Sequence, residues 1–233
     1  MTLKPFFCYY GGKWRMAGKY PAPLHRRVVE PFAGAAGYSV RHHERDVVLY
    51  DVDPRVFGVW DYLIRASPAD VLALPVGVQH VDEVNACQEA KWLVGWWFNK
   101  GNPNPCNHPG KWMRDGWRPN SFWGEAIRAR IARQVGLIKH WKVHNLPYTA
   151  APLDEATWHV DPPYHASGYV YKHSRVDYEA LGEWCRSLPG QVMVCEQAGA
   201  TWLPFSPFLD AKTTEGKKSK RRSLEVVWPA VRT

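Results

Sequence analysis

The chain has 233 residues, of which 45% are hydrophobic and 22% charged, and its formal net charge is +8 with a pI near 9.3. This length suits one sizeable core, either one large domain or a domain with a small insertion. No apolar run approaches the roughly 20 residues of a membrane-spanning helix, and nothing at the N-terminus resembles a signal peptide, so a membrane-spanning helical protein is excluded. The excess of basic over acidic residues favours a polyanionic partner.

The number and spacing of the cysteines predict the redox state of the cellular compartment and whether the chain binds a metal. All five are scattered along the chain, which argues against a disulfide framework and predicts a reducing cytoplasm. Cys106 and His108 lie close together, but no second pair at zinc spacing follows, so we predict no metal. The 13 tryptophans suit base stacking or, for most of them, core packing.

Buried strands alternate with helices through the first third of the chain. One apolar run leads into a glycine-containing loop, and a second ends at Asp51. This alternation predicts an α/β fold with a parallel sheet flanked by helices. The predicted elements are a strand at 27–32, a helix at 38–44, a strand at 46–50, and helices at 54–66 and 68–74.

The composition changes in the middle of the chain. An aromatic helical pattern is followed by a long stretch rich in Gly, Pro, Asn and Trp, and then by a basic helix; loops this long are usually functional or mobile. Residues 84–140 are therefore predicted to be a small helical and loop insertion between two halves of one domain, residues 1–83 and 141–233. The predicted elements are helices at 82–100, 124–140 and 177–188, a loop at 101–123, and strands at 142–146, 157–160, 191–195 and 224–228.

The tetrapeptide Asp161-Pro162-Pro163-Tyr164 follows one of these strands. A base amino group is a poor nucleophile because its lone pair is delocalised into the ring. The Asp161 carboxylate can accept one amine hydrogen and the Pro162 carbonyl the other, and both bonds strengthen in the transition state. The prolines stiffen the loop, and Tyr164 offers a face to an extruded base. Ordinary turn chemistry also uses such a tetrapeptide, so both interpretations stay open for this segment alone.

The loop at residues 30–37, Glu-Pro-Phe-Ala-Gly-Ala-Ala-Gly, stands where a parallel sheet binds an adenosine-containing cofactor. Asp51 ends the next strand, where an acid can bind both ribose hydroxyls, and Asp53 is a rival for that role. The loop lacks the glycine spacing of dinucleotide binders and the Gly-Lys-Ser/Thr of phosphate loops. This favours a cofactor without a pyrophosphate, and S-adenosylmethionine fits.

A third motif is Tyr9-Tyr10-Gly11-Gly12-Lys13-Trp14 near the N-terminus. It is interpreted either as a turn with a solvated lysine or as a flexible segment that brings an aromatic ring and a cation over the cofactor.

Taken together, Gly-Gly-Lys, Glu-Pro-Phe-Ala-Gly, a strand-ending Asp, a variable insertion and Asp-Pro-Pro-Tyr, in this order, resemble the DNA adenine methyltransferase family. The order is similar to that of the alpha group of amino-methyltransferases, and the resemblance spans nearly the whole chain. It implies a Rossmann-like, S-adenosylmethionine-dependent methyltransferase sheet with the cofactor half first, a target-recognition insertion next and the catalytic half last. The insertion itself resembles no target-recognition sequence, and His165 after the tetrapeptide is unusual.

The resemblance also implies roles for single residues. Asp51 would hold the ribose, and the glycine loop would line the methionine side of the cofactor. The implied catalytic residues are Asp161, Pro162, Pro163 and Tyr164. The implied cofactor-binding residues are Tyr9, Gly11, Gly12, Lys13, Glu30, Phe32, Gly34, Gly37, Asp51, Asn145 and Asp161.

The expected reaction is methyl transfer from S-adenosylmethionine to the amino nitrogen of a flipped adenine in double-stranded DNA, in the cytoplasm of a bacterial or phage-infected cell. Cytosine amine, adenine in RNA, protein glutamine and a non-catalytic nucleic-acid-binding module remain alternatives. No membrane or metal partner is expected, and monomer and weak dimer are both open. The predicted DNA contacts are Lys111, Arg114, Arg118, Lys217, Lys218, Lys220 and Arg221, although such charge runs are often only solvated loops.

Overall fold

A computed structural model describes residues 2–116, 119–212 and 222–232. Its strands are β1 (Arg27–Glu30), β2 (Asp46–Tyr50), β3 (Lys142–His144), β4 (Ala156–Val160), β5 (Gly190–Gln197), β6 (Ser206–Lys212) and β7 (Arg222–Arg232). Its α-helices are α1 (Gly37–Arg41), α2 (Pro54–Arg65), α3 (Pro68–Leu72), α4 (Gln88–Phe98), α5 (Lys111–Arg114), α6 (Glu125–Val135) and α7 (Tyr178–Ser187). Short 3-10 turns lie at Lys13–Arg15, Val81–Glu83, Pro119–Ser121, Gly136–Ile138, Tyr148–Ala150 and Gly168–Val170.

The strands of the described residues form a single mostly parallel sheet in the order β3-β2-β1-β4-β5-β7-β6. Strand β7 runs antiparallel to both of its neighbours, and the remaining strands are parallel to one another. The α/β class and the flanking helices predicted from the sequence are confirmed. The strand order reverses between β1 and β4, which places a topological switch point there, and open α/β sheets bind ligands outside the carboxyl ends of strands at such a point.

The sheet is buried on both faces because its central strands are apolar on both. Strand β4 is buried at every position. Val28 faces the hydrophobic core shared with α2, α4 and α6, whereas its neighbour Val29 faces a second core shared with α7. Helices α4 and α6, which come from the predicted insertion, thus share the core of the N-terminal half.

Local sequence signals start the helices beside the sheet. Asp53 caps α2 by accepting the backbone N–H of Arg55, and Pro54 occupies the first turn. Ser67 and Asp70 form a reciprocal capping box at α3. Asp177 caps α7 by accepting the N–H groups of Glu179 and Ala180. These caps fix where the loops at the carboxyl edge of the sheet end.

Several expectations differ from the structure. The strand predicted at 27–32 ends at Glu30, the helix predicted at 38–44 ends at Arg41, and the helix predicted at 82–100 begins as an α-helix only at Gln88, after a 3-10 turn at Val81–Glu83. Strand β6 was not predicted, helix α5 interrupts the predicted loop at 101–123, and the helix predicted at 124–140 ends as an α-helix at Val135 and continues as a 3-10 turn. Among the helices of the described residues, none is long and apolar enough to cross a bilayer.

Candidate functional site

A cavity of about 510 Å³ opens at the carboxyl ends of the strands beside the switch point, a size in the ordinary range for ligand pockets. The glycine loop after β1, the loop after β2 and the start of the loop after β4 supply three walls. The N-terminal segment and residues 171–177 supply the others. Its lining residues are Tyr9–Lys13, Glu30–Gly37, Asp51–Asp53, Pro147, Tyr148, Asp161, Pro163 and Tyr171–Asp177.

Most of the residues predicted to bind a cofactor line this one cavity, although they come from distant parts of the chain. They are Tyr9, Gly11, Gly12, Lys13, Glu30, Phe32, Gly34, Gly37, Asp51 and Asp161. Asn145 is exposed and is not among the lining residues, and its side-chain amide donates a hydrogen bond to the Asp51 carbonyl at 2.8 Å. Asn145 therefore positions the strand end rather than lining the cavity.

Asp51 and Asp53 were both candidates for binding the ribose hydroxyls of a cofactor, and their surroundings in the structure differ. One Asp51 oxygen accepts the Gly34 backbone N–H and the other accepts the Asp53 N–H, each at 2.9 Å. Burial raises the pKa of Asp51 to about 6, although these N–H groups oppose the rise. Asp53 is held by the Arg55 guanidinium, one of whose nitrogens lies 2.5 Å from its carboxylate, so Asp51 keeps more free accepting capacity.

The glycine loop is held close to the cavity by contacts from three directions. Gly34 has a φ of +44°, and a side chain there would lie 3.1 Å from the Tyr9 ring. The Trp60 indole donates a hydrogen bond to the Gly34 carbonyl at 2.8 Å. At the start of α1, a side chain on Gly37 would lie 2.4 Å from the Trp14 backbone nitrogen. Glycine at these positions lets the N-terminal segment pack directly on the loop.

Asp161 and Lys13 form a buried ion pair in the cavity wall. The Lys13 ammonium lies 2.8 Å from one carboxylate oxygen of Asp161 and 2.9 Å from the other. It also lies 4.7 Å from the centre of the Tyr164 ring. Burial alone would lower the pKa of Lys13, but the Asp161 charge more than offsets this and raises the pKa well above its usual value. Lys13 therefore joins the N-terminal segment to the tetrapeptide.

Of the four residues predicted to be catalytic, Asp161 and Pro163 line the cavity, whereas Pro162 is buried. The Tyr164 hydroxyl is buried and finds no hydrogen-bond partner within the described residues. Burial raises the pKa of Tyr164 well above its usual value, so the hydroxyl stays protonated. Such an unpartnered group is uncommon in folded proteins.

Residues outside the tetrapeptide fix its loop. The Tyr178 hydroxyl donates to the Pro163 carbonyl at 2.6 Å, which leaves that carbonyl engaged. Glu196 at the end of β5 accepts the His165 backbone N–H at 3.1 Å and the Trp202 indole N–H at 3.1 Å. The unusual His165 is thus held through its backbone. The loop after β4 is preorganised from both sides.

Aromatic residues that the sequence interpretation missed complete the cavity. Tyr171 stacks on Tyr9 at 5.9 Å between ring centres, and its hydroxyl donates to the Tyr10 carbonyl at 3.2 Å. Tyr148 stacks on Phe32 at 5.4 Å. No local pattern singles out Tyr171, because the contact joins residues about 160 positions apart in the chain.

Buried polar side chains, most of them on strands of the sheet, contact one another in a row that begins at Glu30 in the cavity wall. The Glu30 carboxylate lies 3.2 Å from the His159 imidazole, whose other nitrogen lies 3.6 Å from the Cys195 sulfur. Cys195 lies 3.3 Å from the Tyr20 hydroxyl, which donates to Glu225 on β7. Glu30 is 2% exposed and His159 fully buried, so this network fixes Glu30 in place.

The residues predicted to contact DNA lie outside the cavity or outside the described part of the chain. Lys111 and Arg114 are exposed on α5 and do not line the cavity. The remaining predicted contacts, Arg118, Lys217, Lys218, Lys220 and Arg221, lie outside the described residues.

No family model and no curated protein sequence matches this chain. Within residues 2–116, 119–212 and 222–232, no group of three or more His, Cys, Asp or Glu side chains is arranged to hold a metal ion.

Proposed function

We propose that the chain is an S-adenosylmethionine-dependent methyltransferase that acts on the amino group of adenine in double-stranded DNA. The observation that carries the proposal is the position of Asp161. It lies at the end of β4, at the switch point of the sheet, and faces the same cavity as the strand-ending Asp51. An amine acceptor and a ribose acceptor on neighbouring walls suit a transfer between a bound nucleoside cofactor and a base amine.

The residues of the cavity fit S-adenosylmethionine chemically. Carboxylates at Glu30 and Asp51 suit its ammonium and its ribose hydroxyls. The stacked pair Phe32 and Tyr148 offers aromatic surface to an adenine. The glycine loop lets a ligand approach the backbone closely. When bound, this cofactor would supply an activated methyl group on a sulfonium sulfur.

The tetrapeptide provides acceptors for the amine that receives the methyl group. In this mechanism the Asp161 carboxylate and the Pro162 carbonyl accept hydrogen bonds from the two amine hydrogens while the nitrogen becomes tetrahedral. The carbon–nitrogen bond would form as the methyl carbon–sulfur bond breaks, with a neutral thioether as the leaving group, and the Asp161 carboxylate would take one proton from the methylated nitrogen and pass it to solvent. Both acceptors act more strongly on the transition state than on the ground state. Because Tyr178 engages the Pro163 carbonyl, Pro162 is the better placed of the two prolines.

A flipped base needs a surface on which to stack, since leaving the duplex costs a few kcal/mol. Tyr164 is the aromatic residue of the tetrapeptide, but it is not among the residues that line the cavity, and Lys13 already lies over its ring. A base that stacks on that face has to displace the Lys13 ammonium, which would release both Asp161 oxygens. The Lys13–Asp161 pair thus holds the carboxylate in position until the base arrives.

The test is methyl transfer from radiolabelled S-adenosylmethionine to unmethylated duplex DNA, followed by separation of the product nucleosides. Label in methyladenine supports the proposal. Label in methylcytosine keeps the mechanism but changes the base. Cofactor binding without label in DNA redirects the search to RNA or protein, and the absence of cofactor binding contradicts the proposal.

A further inference from the structure

Residues 168–177, here called the strap, run from the tetrapeptide loop along the cavity to the start of α7. The strap begins on the catalytic loop itself, because the Gly168 backbone N–H donates to the Tyr164 carbonyl at 2.6 Å. A side chain on Gly168 would lie 2.8 Å from Pro163. Residues 171–177 line the cavity. The strap is therefore both next to the tetrapeptide in sequence and part of the cavity wall.

The strap is anchored at two points. Tyr171 stacks on Tyr9 and donates to the Tyr10 carbonyl. At the far end the Asp177 side chain caps α7. Between these anchors the segment lines the same cavity as Asp51–Asp53 of the loop after β2.

The strap carries cations that line the cavity and are also exposed to solvent, together with an exposed aromatic side chain. Lys172, His173 and Arg175 are exposed, and Tyr169 is 81% exposed. Within the described residues, neither Lys172 nor Arg175 forms an ion pair or hydrogen bond through its side chain. Cations interleaved with an aromatic side chain suit a nucleic-acid backbone and its bases.

We propose that Lys172 and Arg175, which line the cavity and remain exposed to solvent, bind the phosphates that flank the target nucleotide. The inference rests on the proposed function, because a base held at Asp161 leaves its sugar and phosphates at the cavity mouth. The alternative anion is the cofactor carboxylate. The phosphate is favoured because both cations are solvent-exposed and the exposed Tyr169 precedes them in the strap, as contact with a polymer backbone at the cavity mouth requires.

The test compares wild-type protein with the double variant Lys172→Gln, Arg175→Gln. Binding to an unmethylated mixed-sequence duplex is followed by fluorescence anisotropy over a series of salt concentrations. Each lost phosphate contact reduces the slope of log K against log salt by about 0.9, so the double variant is expected to lose roughly 1.8. Binding of S-adenosylmethionine, measured by calorimetry, reports separately whether these cavity-lining cations contact the cofactor carboxylate instead.

The control is Arg26→Gln, Lys142→Gln, which removes two exposed cations, one just before β1 and one at the start of β3, at the edge of the sheet opposite the cavity; of the two, Arg26 pairs with Asp46 at 2.8 Å. It is expected to keep the wild-type slope. An unchanged slope in the strap variant, with wild-type protein that binds and methylates DNA, overturns the strap proposal alone. If the strap variant binds the cofactor more weakly but keeps the wild-type slope, the two cations contact the cofactor carboxylate, and the strap proposal is also overturned. Wild-type protein that binds no duplex overturns the proposed function as well.

Discussion

Lys13 has two partners in the structure that its position near the N-terminus does not suggest. Its ammonium contacts both oxygens of Asp161 and lies over Tyr164. The Lys13 side chain is 9% exposed, and an uncompensated buried charge is costly. Removal of either member of the pair therefore changes stability as well as chemistry, and variants that keep side-chain shape are the informative ones.

Asp161→Asn is expected to lower the rate of methyl transfer about 100-fold or more, because an amide offers a neutral acceptor in place of a carboxylate in the transition state. Cofactor affinity should change little. Single-turnover kinetics and calorimetry separate the two effects. Near-normal turnover in this variant would contradict the assignment of Asp161 as the amine acceptor.

Cofactor binding should depend on pH through Asp51. Its pKa is raised to about 6, and only the ionised carboxylate accepts both ribose hydroxyls. The folded protein therefore carries the competent, ionised form above about pH 6, and affinity for S-adenosylmethionine should fall as pH drops below it. Calorimetry across this range tests the expectation. In Asp51→Asn the affinity should be lower and this pH dependence absent; an Asn variant with the wild-type profile would assign the titration to another group.

At the scale of elements, the packing of the N-terminal segment on α1 depends on Gly37. Gly37→Ala would place a methyl group 2.4 Å from the Trp14 backbone nitrogen, and backbone cannot yield as a flexible side chain does. Overpacking of this kind typically costs about 1–3 kcal/mol. We expect a lower free energy of unfolding in urea and, because Lys13 adjoins Trp14, slower methyl transfer.

Gly136→Ala is the matched control for this variant. Gly136 has a φ of −62°, and a side chain there meets nothing within 4 Å. The substitution should be neutral or stabilise by up to about 1 kcal/mol, because alanine restricts the unfolded chain. Equal destabilisation by the two substitutions would show that the contact at Trp14 is not the cause.

The sequence predicted the elements near the site better than those at the far edge of the sheet. Strand β2 has the predicted bounds, and β4 and β5 differ from prediction only at their ends, because each is centred on a short run of mostly buried residues. Strand β6 was missed because Pro207 interrupts it, at an irregularity in its pairing with β7, and proline within a run argues against a strand. Helix α5 has only four residues, too few for a helical period to be seen.

Within the site, local motifs predicted the residues that glycine, proline and carboxylate chemistry makes distinctive. Gly34, Asp51 and Asp161 are of this kind. Tyr171 and the strap cations were missed, because they reach the cavity through contacts between distant parts of the chain that no local pattern encodes. The pairing of Lys13 with Asp161, 148 residues apart, was missed for the same reason.

Across the whole molecule, the abundant tryptophans serve the core more than the surface. Trp60, Trp96 and Trp158 are among the largest fully buried side chains. Indole N–H groups also tie separate segments together, as Trp97 does by donating to the Phe6 carbonyl and Trp123 by donating to the Pro75 carbonyl. The insertion is therefore joined to the cofactor half by packing and by hydrogen bonds.

Strand β7 comes last among the strands in chain order, yet it lies inside the sheet, between β5 and β6. Strand β6 pairs with β7 alone, so β6 has no partner until β7 has entered. The edge of β5 stays open over the same interval, and unpaired edges promote aggregation. In pulse-labelled hydrogen exchange during refolding, amides of β6 should become protected together with those of β7 and no earlier. Earlier protection of β6 would show a different order of assembly. The same topology has a consequence during synthesis: a ribosome-bound chain that stops short of residue 222 is expected to expose the β5 edge.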